Sequence, residues 1–342
     1  MKQTNFKSFA LVLFIVLIAL SSCRNDDDIP DGIPERDRTE QQAADKDTLL
    51  DYLSSHYYNS GDFDGNMNPS FTEIVITELA EGESVPDGHT LLADDVETLQ
   101  TVFLDVDYEY YILRVNQGGG EERPNFPDDI RVNFEGHLLD GSVFDNSVNS
   151  VVFDLSNLVP GWGRVIPEFN VAQDFDLNPD GTVNFNNAGV GVMFIPSGLG
   201  YFSGGVPGVP VYSNLVFKFD LYQSQLKDHD ADGVPSFLED VDEDLDLSND
   251  DTDENGLADF IDPDDDGDEV LTINELLPTE YIVDTNMGEE EPVLGENEFE
   301  ISRTEENGII TINTVTIVDT NNNNIPDYRD DTVSINYNEE DD

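Results

Sequence analysis

Apolar residues are unevenly spread along this chain, and their spacing changes character several times. Phe9 to Leu20 is an unbroken apolar run behind Lys2 and Lys7. It has the length and flank of a signal h-region and is too short to span a bilayer comfortably. Residues 24–44 are polar and aperiodic, as a disordered spacer is. Leu49, Leu50, Leu53 and Tyr57 recur near helical spacing and predict a short helix over residues 45–59. Gly61 to Asn66 breaks it. Residues 71–106 carry weak strand patterns at Glu73–Leu79 and Thr101–Val106 and no motif.

From Tyr108 the β-formers gather. Tyr110 to Val115 reads as a strand and Gly118-Gly119-Gly120 ends it. Arg131 to Gly136 alternates, with Val132 and Phe134 on one face; Leu215 to Leu221 puts Leu215, Phe217, Phe219 and Leu221 on one face. From Lys227 onward Asp dominates and apolar residues thin out, which marks a domain boundary. The expected organisation is a signal peptide (1–22), a linker (23–44), an N-terminal extension (45–107), a β-rich domain (108–226) and an acidic region (227–342).

Charge sharpens this picture. The chain has 342 residues, 75 Asp and Glu against 14 Lys and Arg, and a net charge of −61. That balance excludes nucleic-acid binding, which needs clustered basic residues, and attraction to anionic membranes. It invites bound cations. Cys23, the single cysteine, follows Leu20-Ser21-Ser22. This resembles the bacterial lipobox, which implies acylation of Cys23, a tether to the outer membrane, and export. Arg24 to Asp28 resembles the surface-export signals of Bacteroidetes lipoproteins, with a plain solvated linker as the even alternative. His56, His89, His137 and His229 are scattered without metal-ligand spacing, and nucleophile-elbow, P-loop and dinucleotide motifs are missing from the sequence.

Six motifs in fixed order carry a resemblance. They are Val132-Asn133-Phe134-Glu135-Gly136-His137-Leu138, Asp140-Gly141-Ser142-Val143-Phe144-Asp145-Asn146-Ser147, Phe153-Asp154-Leu155, Leu158-Val159-Pro160-Gly161-Trp162, Ile195-Pro196-Ser197 with Gly200-Tyr201, and Val209-Pro210 with Leu215-Val216-Phe217. The stretch from about 108 to 225 resembles the FKBP-type peptidyl-prolyl cis/trans isomerases. The resemblance implies an α+β fold, a curved antiparallel sheet around one short helix. It implies a pocket of Phe134, Phe144, Asp145, Phe153, Leu158, Val159, Trp162, Tyr201, Val209 and Phe217. Trp162 would be the floor under the proline ring, and Phe144, Phe153 and Phe217 the walls. The Val159 N–H and Tyr201 hydroxyl would donate to substrate carbonyls, with Asp145 orienting the polar side. Proline-containing polypeptides are the implied partners, and no catalytic cofactor is needed. Phe134 departs from the family's Tyr, Val151 stands where another aromatic is common, the 201–210 loop is shorter, and an Asn- and Asp-rich insertion fills Asp174–Asn187. Weak activity, or an altered substrate preference, would follow.

The acidic region repeats an odd-spaced pattern. Asp228, Asp230, Asp232, Gly233 and Glu239 occupy positions 1, 3, 5, 6 and 12 of a calcium loop. Asp251, Asp253, Asn255, Asp259 and Asp262 follow, then Asp264, Asp266, Asp268 and Glu275, with Glu269 at the turn position. Asp319, Asn321, Asn323, Asp327 and Asp330 form a weaker fourth copy. The apolar residue stands at position 7 (Val234, Leu257, Val270, Ile325), one earlier than in an EF-hand. These loops resemble thrombospondin type 3 repeats, implying structural Ca²⁺ in a tail with little regular secondary structure. A disordered acidic tail is the alternative. Three readings stand: an isomerase of exported proteins, an FKBP-like chaperone or assembly module with little turnover, and a structural surface lipoprotein.

If Cys23 is lipidated, Cys23→Ala moves the protein from the membrane to the soluble fraction. An unmodified mature N-terminus by intact-mass measurement would end that reading.

Overall fold

The computed structural model describes residues 35–338. Cys23, the expected signal peptide and the linker as far as residue 34 lie outside the described residues. From Arg38 onward the chain forms one compact unit. Among the described residues no helix is long and apolar enough to cross a membrane.

The first helix, α1 (Arg38–Ser55), begins inside the expected disordered spacer and corrects that boundary. Its early turns bury Gln41, Gln42 and Asp45 rather than apolar side chains, so hydrophobic periodicity does not reveal them. Asp45 accepts hydrogen bonds from Ser197 N (2.9 Å), Ser197 Oγ (2.6 Å) and Gln41 Nε2 (2.7 Å). Arg38 stacks 4.0 Å above the Phe202 ring. Short strands β1 (His56–Tyr58), β2 (Ile76–Glu78) and β3 (Thr90–Leu91) form a small sheet, followed by the one-turn helix α2 (Leu92–Asp95).

The main sheet contains β4 (Glu97–Phe103), β5 (Val106–Asn116), β6 (Asp129–Leu138), β7 (Val143–Asn146), β8 (Val151–Asp154), β11 (Gly189–Ile195) and β12 (Leu215–Gln225). Its order is β4-β5-β11-β12-β6-β7, with β8 also paired to β6, and every pairing is antiparallel. The expected Thr101–Val106 strand is instead a hairpin: β4 and β5 meet around Leu104 and Asp105, both at positive φ. Phe134, Phe217, Phe219 and Leu221 line one face and pack on Trp162 and Val165 of helix α3 (Pro160–Val165). The opposite face, with Tyr111, Leu113, Val192, Phe194 and Val216, is covered by Leu49 and Leu53 of α1 and by Tyr58, Phe71, Ile74 and Leu92. This double cover explains why every residue of β11 is buried and gives the extension its role as the second layer. The fold is α+β, with few helices and antiparallel sheets.

The Asp174–Asn187 insertion folds as a hairpin of β9 (Asp174–Leu177) and β10 (Val183–Asn186). Its Phe185 ring stacks on Tyr222 at 4.4 Å.

The acidic region is more ordered than its composition suggests. After the one-turn helix α4 (Thr272–Glu275), strands β13 (Leu277–Asp284), β14 (Glu298–Glu306) and β15 (Ile309–Thr316) form a sheet in the order β13-β15-β14. This corrects the expectation of little regular structure. β14 is almost wholly exposed and acidic, so only β15 and Val283 bury apolar side chains, and the alternation signal is weak.

Asp45→Ala leaves Ser197 N and Oγ without their charged acceptor. A loss of about 1.5–3 kcal/mol is expected for a hydrogen bond of this kind, read as a lower urea midpoint. An unchanged midpoint would mean that α1 is held by Leu49 and Leu53 alone.

Candidate functional site: an aromatic cup beside a row of carboxylate loops

The cup is built on α3. Pro160 stands in its first turn, where a missing N–H costs nothing and the fixed φ suits the helix. This delivers Trp162 to the sheet, where it is only 3 % exposed. Its ring centre lies 5.3 Å from Phe217, 5.7 Å from Phe134 and 6.2 Å from Phe153, with planes 66°, 87° and 76° apart. Such edge-to-face contacts favour aromatic quadrupoles and lock the rings. Phe144 meets Phe217 edge-on at 5.5 Å.

Gly136 makes that possible. A Cβ there would lie 2.7 Å from Phe144 Cζ and 2.9 Å from Phe217 Cε1. Ser147 holds the following loop in place: its Oγ accepts from Phe134 N (2.9 Å) and its N–H donates to Phe134 O (3.0 Å). Sequence reading assigned neither residue a role.

The structure brings the nine expected non-acidic residues into one cluster. Phe134, Trp162, Val209 and Phe217 are buried, and Phe144, Phe153, Leu158, Val159 and Tyr201 are half-buried around them. Dry floor and wetter rim are what a pocket for an apolar ring needs. Val159 caps the start of α3, where N–H groups lack intrahelical acceptors. Asp145 is exposed, with its Oδ1 accepting from Asn146 N at 2.8 Å. Burial, and then the Asp145 charge, hold the Tyr201 phenol above its ordinary range, so it stays a proton donor at neutral pH. The shortened loop is braced by the Val206–Val209 bridge and by Tyr212 N donating to Phe202 O at 2.7 Å.

The acidic loops share one backbone plan. In the first, second and fourth, the first Asp accepts from an N–H five residues on: Gly233 N to Asp228 Oδ2 (3.0 Å), Gly256 N to Asp251 Oδ2 (2.9 Å) and Asn324 N to Asp319 Oδ2 (2.9 Å). Paired positive φ angles recur at Ala231/Gly233, Glu254/Gly256, Gly267/Glu269 and Asn322/Asn324. Glu269 itself takes the left-handed turn that glycine holds in the first two loops and Asn324 in the fourth. Asp259 and Asp327 accept from Thr252 N (2.7 Å) and Thr320 N (2.8 Å), bracing their loops from position 9.

Asp228, Asp230 and Asp232 converge within 4.8 Å, as do Asp264, Asp266 and Asp268. Glu275 is buried with both carboxylate oxygens unpartnered. In the other two loops asparagine amides hydrogen-bond the acids: Asn255 to Asp262 (2.6 Å), and Asn321 and Asn323 to Asp330 (2.7 Å each). Sequence reading missed a fifth loop. Asp240 accepts from Leu245 N (3.0 Å), Glu243 and Leu245 have positive φ, and Asp240, Asp242 and Asp250 converge within 4.8 Å. Leu245 at the glycine position and Asp246 at the apolar one hid it; the odd spacing of Asp240, Asp242 and Asp244 was the available signal. Burial, then neighbouring carboxylates, push Asp230 up to about 7, Asp232 to about 8 and Glu275 to about 9. Such groups require a proton or a cation.

The two parts touch. His229 of the first loop faces Asp154 Oδ2 (3.1 Å) beside Phe153, and Arg164 of α3 donates to Asp244 O (3.3 Å).

About a third of the chain is similar in sequence to FKBP-type peptidyl-prolyl cis-trans isomerases. The FkpA protein of Escherichia coli K12 is 33% identical over 113 residues, 32% of this chain and 36% of that protein. The Mip isomerase of Coxiella burnetii is 26% identical over 123 residues, 35% of this chain and 45% of that protein. The chain therefore spans less than half the length of these relatives. A solved structure of E. coli FkpA aligns at 20% identity over 66% of this chain and 74% of that one, with a TM-score of 0.30, too loose to support a conclusion. A family model described as the BamM C-terminal region matches residues 229–294.

Proposed function

We propose that this chain is a peptidyl-prolyl cis/trans isomerase acting on exported polypeptides, and that calcium organises its acidic tail. The cup centred on Trp162 carries the first part. An X-Pro bond rotates slowly because resonance sets a barrier of ~18–20 kcal/mol. Rotation removes resonance and leaves a twisted, less polar bond. A pocket of rings with little water favours the twisted state over the planar one. Tyr201 and the Val159 N–H supply donors for the flanking carbonyls, and no proton need move. The sequence similarity to named isomerases supports the same reading.

A second reading is favoured by one observation. Phe175 and Val183 of the insertion hairpin, with Val148 opposite, are exposed apolar side chains around a groove of about 530 Å³. A surface of that kind suits holding unfolded chains with little turnover.

For the tail, the unpartnered buried oxygens of Asp230, Asp232, Asp264, Asp266, Asp268 and Glu275 fit a hard, oxygen-seeking cation. Asp228, Asp230, Asp232 and Glu239 would hold calcium in the first loop and Asp264, Asp266, Asp268 and Glu275 in the third. Asp251, Asp253, Asn255 and Asp262, and Asp319, Asn321, Asn323 and Asp330, would serve the others, with Asp259 and Asp327 alongside. The ion's contribution is charge compensation and loop closure. Acylation of Cys23 would tether the whole to the outer membrane.

On the soluble chain from residue 24, Trp162→Leu is expected to lower kcat/KM for a proline peptide by roughly tenfold or more, about 1.4 kcal/mol or more of transition-state stabilisation. Tyr201→Phe should cost less. Wild-type protein no faster than buffer would leave the holding role.

Millimolar calcium should protect residues 227–280 from protease, and a chelator should remove that protection. A hundredfold excess over the dissociation constant adds about 2.7 kcal/mol to a form that alone binds the ion. Equal cleavage in both conditions would make the tail a cation-independent fold.

A further inference from the structure

The third loop begins at Asp264, and the pattern asks nothing of its second position, Asp265. Yet Asp265 is only 1 % exposed. It faces Asp232 (3 %) and Glu239 (0 %) of the first loop, and ligand atoms of the three carboxylates lie within 4.8 Å of one another. Asp232 Oδ2, both oxygens of Glu239 and both of Asp265 have no hydrogen-bond partner. Among the described residues no Lys, Arg or His forms an ion pair with any of the three. Val234, Leu276, Val315 and Tyr328 make the local core, and the carboxylates of Asp230 and Asp259 add to the negative charge around the three.

Asp232 keeps one donor, Val234 N on its Oδ1 at 2.8 Å; otherwise these three buried carboxylates repel one another with no cationic side chain paired to them. An aspartate whose only role was to brace the loop would have donors, as Asp259 has in Thr252. We propose that Asp232, Glu239 and Asp265 form a divalent-cation site of their own, which joins the first loop to the third. The donor set is oxygen only, with three formal negative charges, which selects a hard ion such as Ca²⁺. Asp232 and Glu239 belong both to this group and to the first loop's own ligand set, so they bridge two ions, and Asp265 is the residue that the second ion alone uses.

The consequence is a clip. Glu239 and Asp265 are far apart in sequence, and an ion between them closes the intervening chain as a cross-link does. Because His229 of the first loop faces Asp154 beside the cup, the clip ties the third loop to one that already rests against the cup. The identity of the ion as calcium rests on the reading of the loops given above; the existence of the site does not.

The test uses the soluble chain from residue 24, with calcium counted by native mass spectrometry and calorimetry, and melting followed in calcium and in chelator. Asp265→Asn is expected to bind one ion fewer than wild type. Its Tm should fall below wild type in millimolar calcium and rise above it in chelator, because one buried carboxylate that must either repel its neighbours or take up a proton is gone. Asp253→Asn, in a separate loop, should lower calcium affinity without that inversion. An Asp265→Asn protein with the wild-type ion count and no inversion would overturn the clip while leaving the loops as calcium sites. A wild-type chain that binds no divalent cation would overturn both. Should Asp265→Asn fail to fold, Asp265→Ser gives the same reading without removing a ligand assigned to the first loop.

Discussion

The edge-to-face packing of Trp162 against Phe134, Phe153 and Phe217 sets the floor of the cup, and the rest of the site is arranged around it. Pro160 and Gly161 start the helix that presents the indole; Gly136 leaves room for Phe144; Ser147 returns the chain to Phe134. A sheet bearing so many rings on one face would curl or slip if its other face were wet. α1 and the extension prevent that by covering the reverse side with Leu49, Leu53, Phe71 and Ile74. The extension thus stiffens the pocket from behind.

The acidic tail answers a different constraint. Its core holds carboxylates where a domain normally holds hydrocarbon, since only Val234, Leu276, Val315 and Tyr328 are fully buried apolar side chains near the first loop. Burial and mutual repulsion push Glu239 and Asp265 up to about 10. Without a cation such a tail would hold protons that water at neutral pH would take from ordinary carboxylates. In the proposed reading, bound ions would turn the same residues from a source of repulsion into cross-links; the cup's neighbours His229 and Arg164 touch these loops.

The cup was legible in the sequence because its residues sit in short motifs of fixed order, and the structure gathers Phe134, Phe144, Phe153, Trp162, Tyr201 and Phe217 as that order implies. What stayed hidden has physical reasons. The start of α1 buries Gln41 and Asp45, so no apolar stripe announces it. Strands β13 to β15 carry Glu and Thr between sparse Ile and Val, which blurs their alternation. Asp240 and its partners were masked by Leu245 in a left-handed turn. Asp265 could not be read at all, because its significance comes from a contact between loops and not from spacing within one.

The central claim is that a dry ring-lined cup, with no group exchanging a proton, twists the prolyl bond. The most direct test is the pH dependence of kcat/KM for a proline peptide, measured on the soluble chain in saturating calcium. Tyr201 is held above its ordinary phenol range, so it remains a donor throughout neutral pH. The account predicts a rate well above buffer and flat from about pH 6 to 8.5. A bell-shaped or sigmoidal profile tracking a titrating side chain, or no acceleration at any pH, would contradict it.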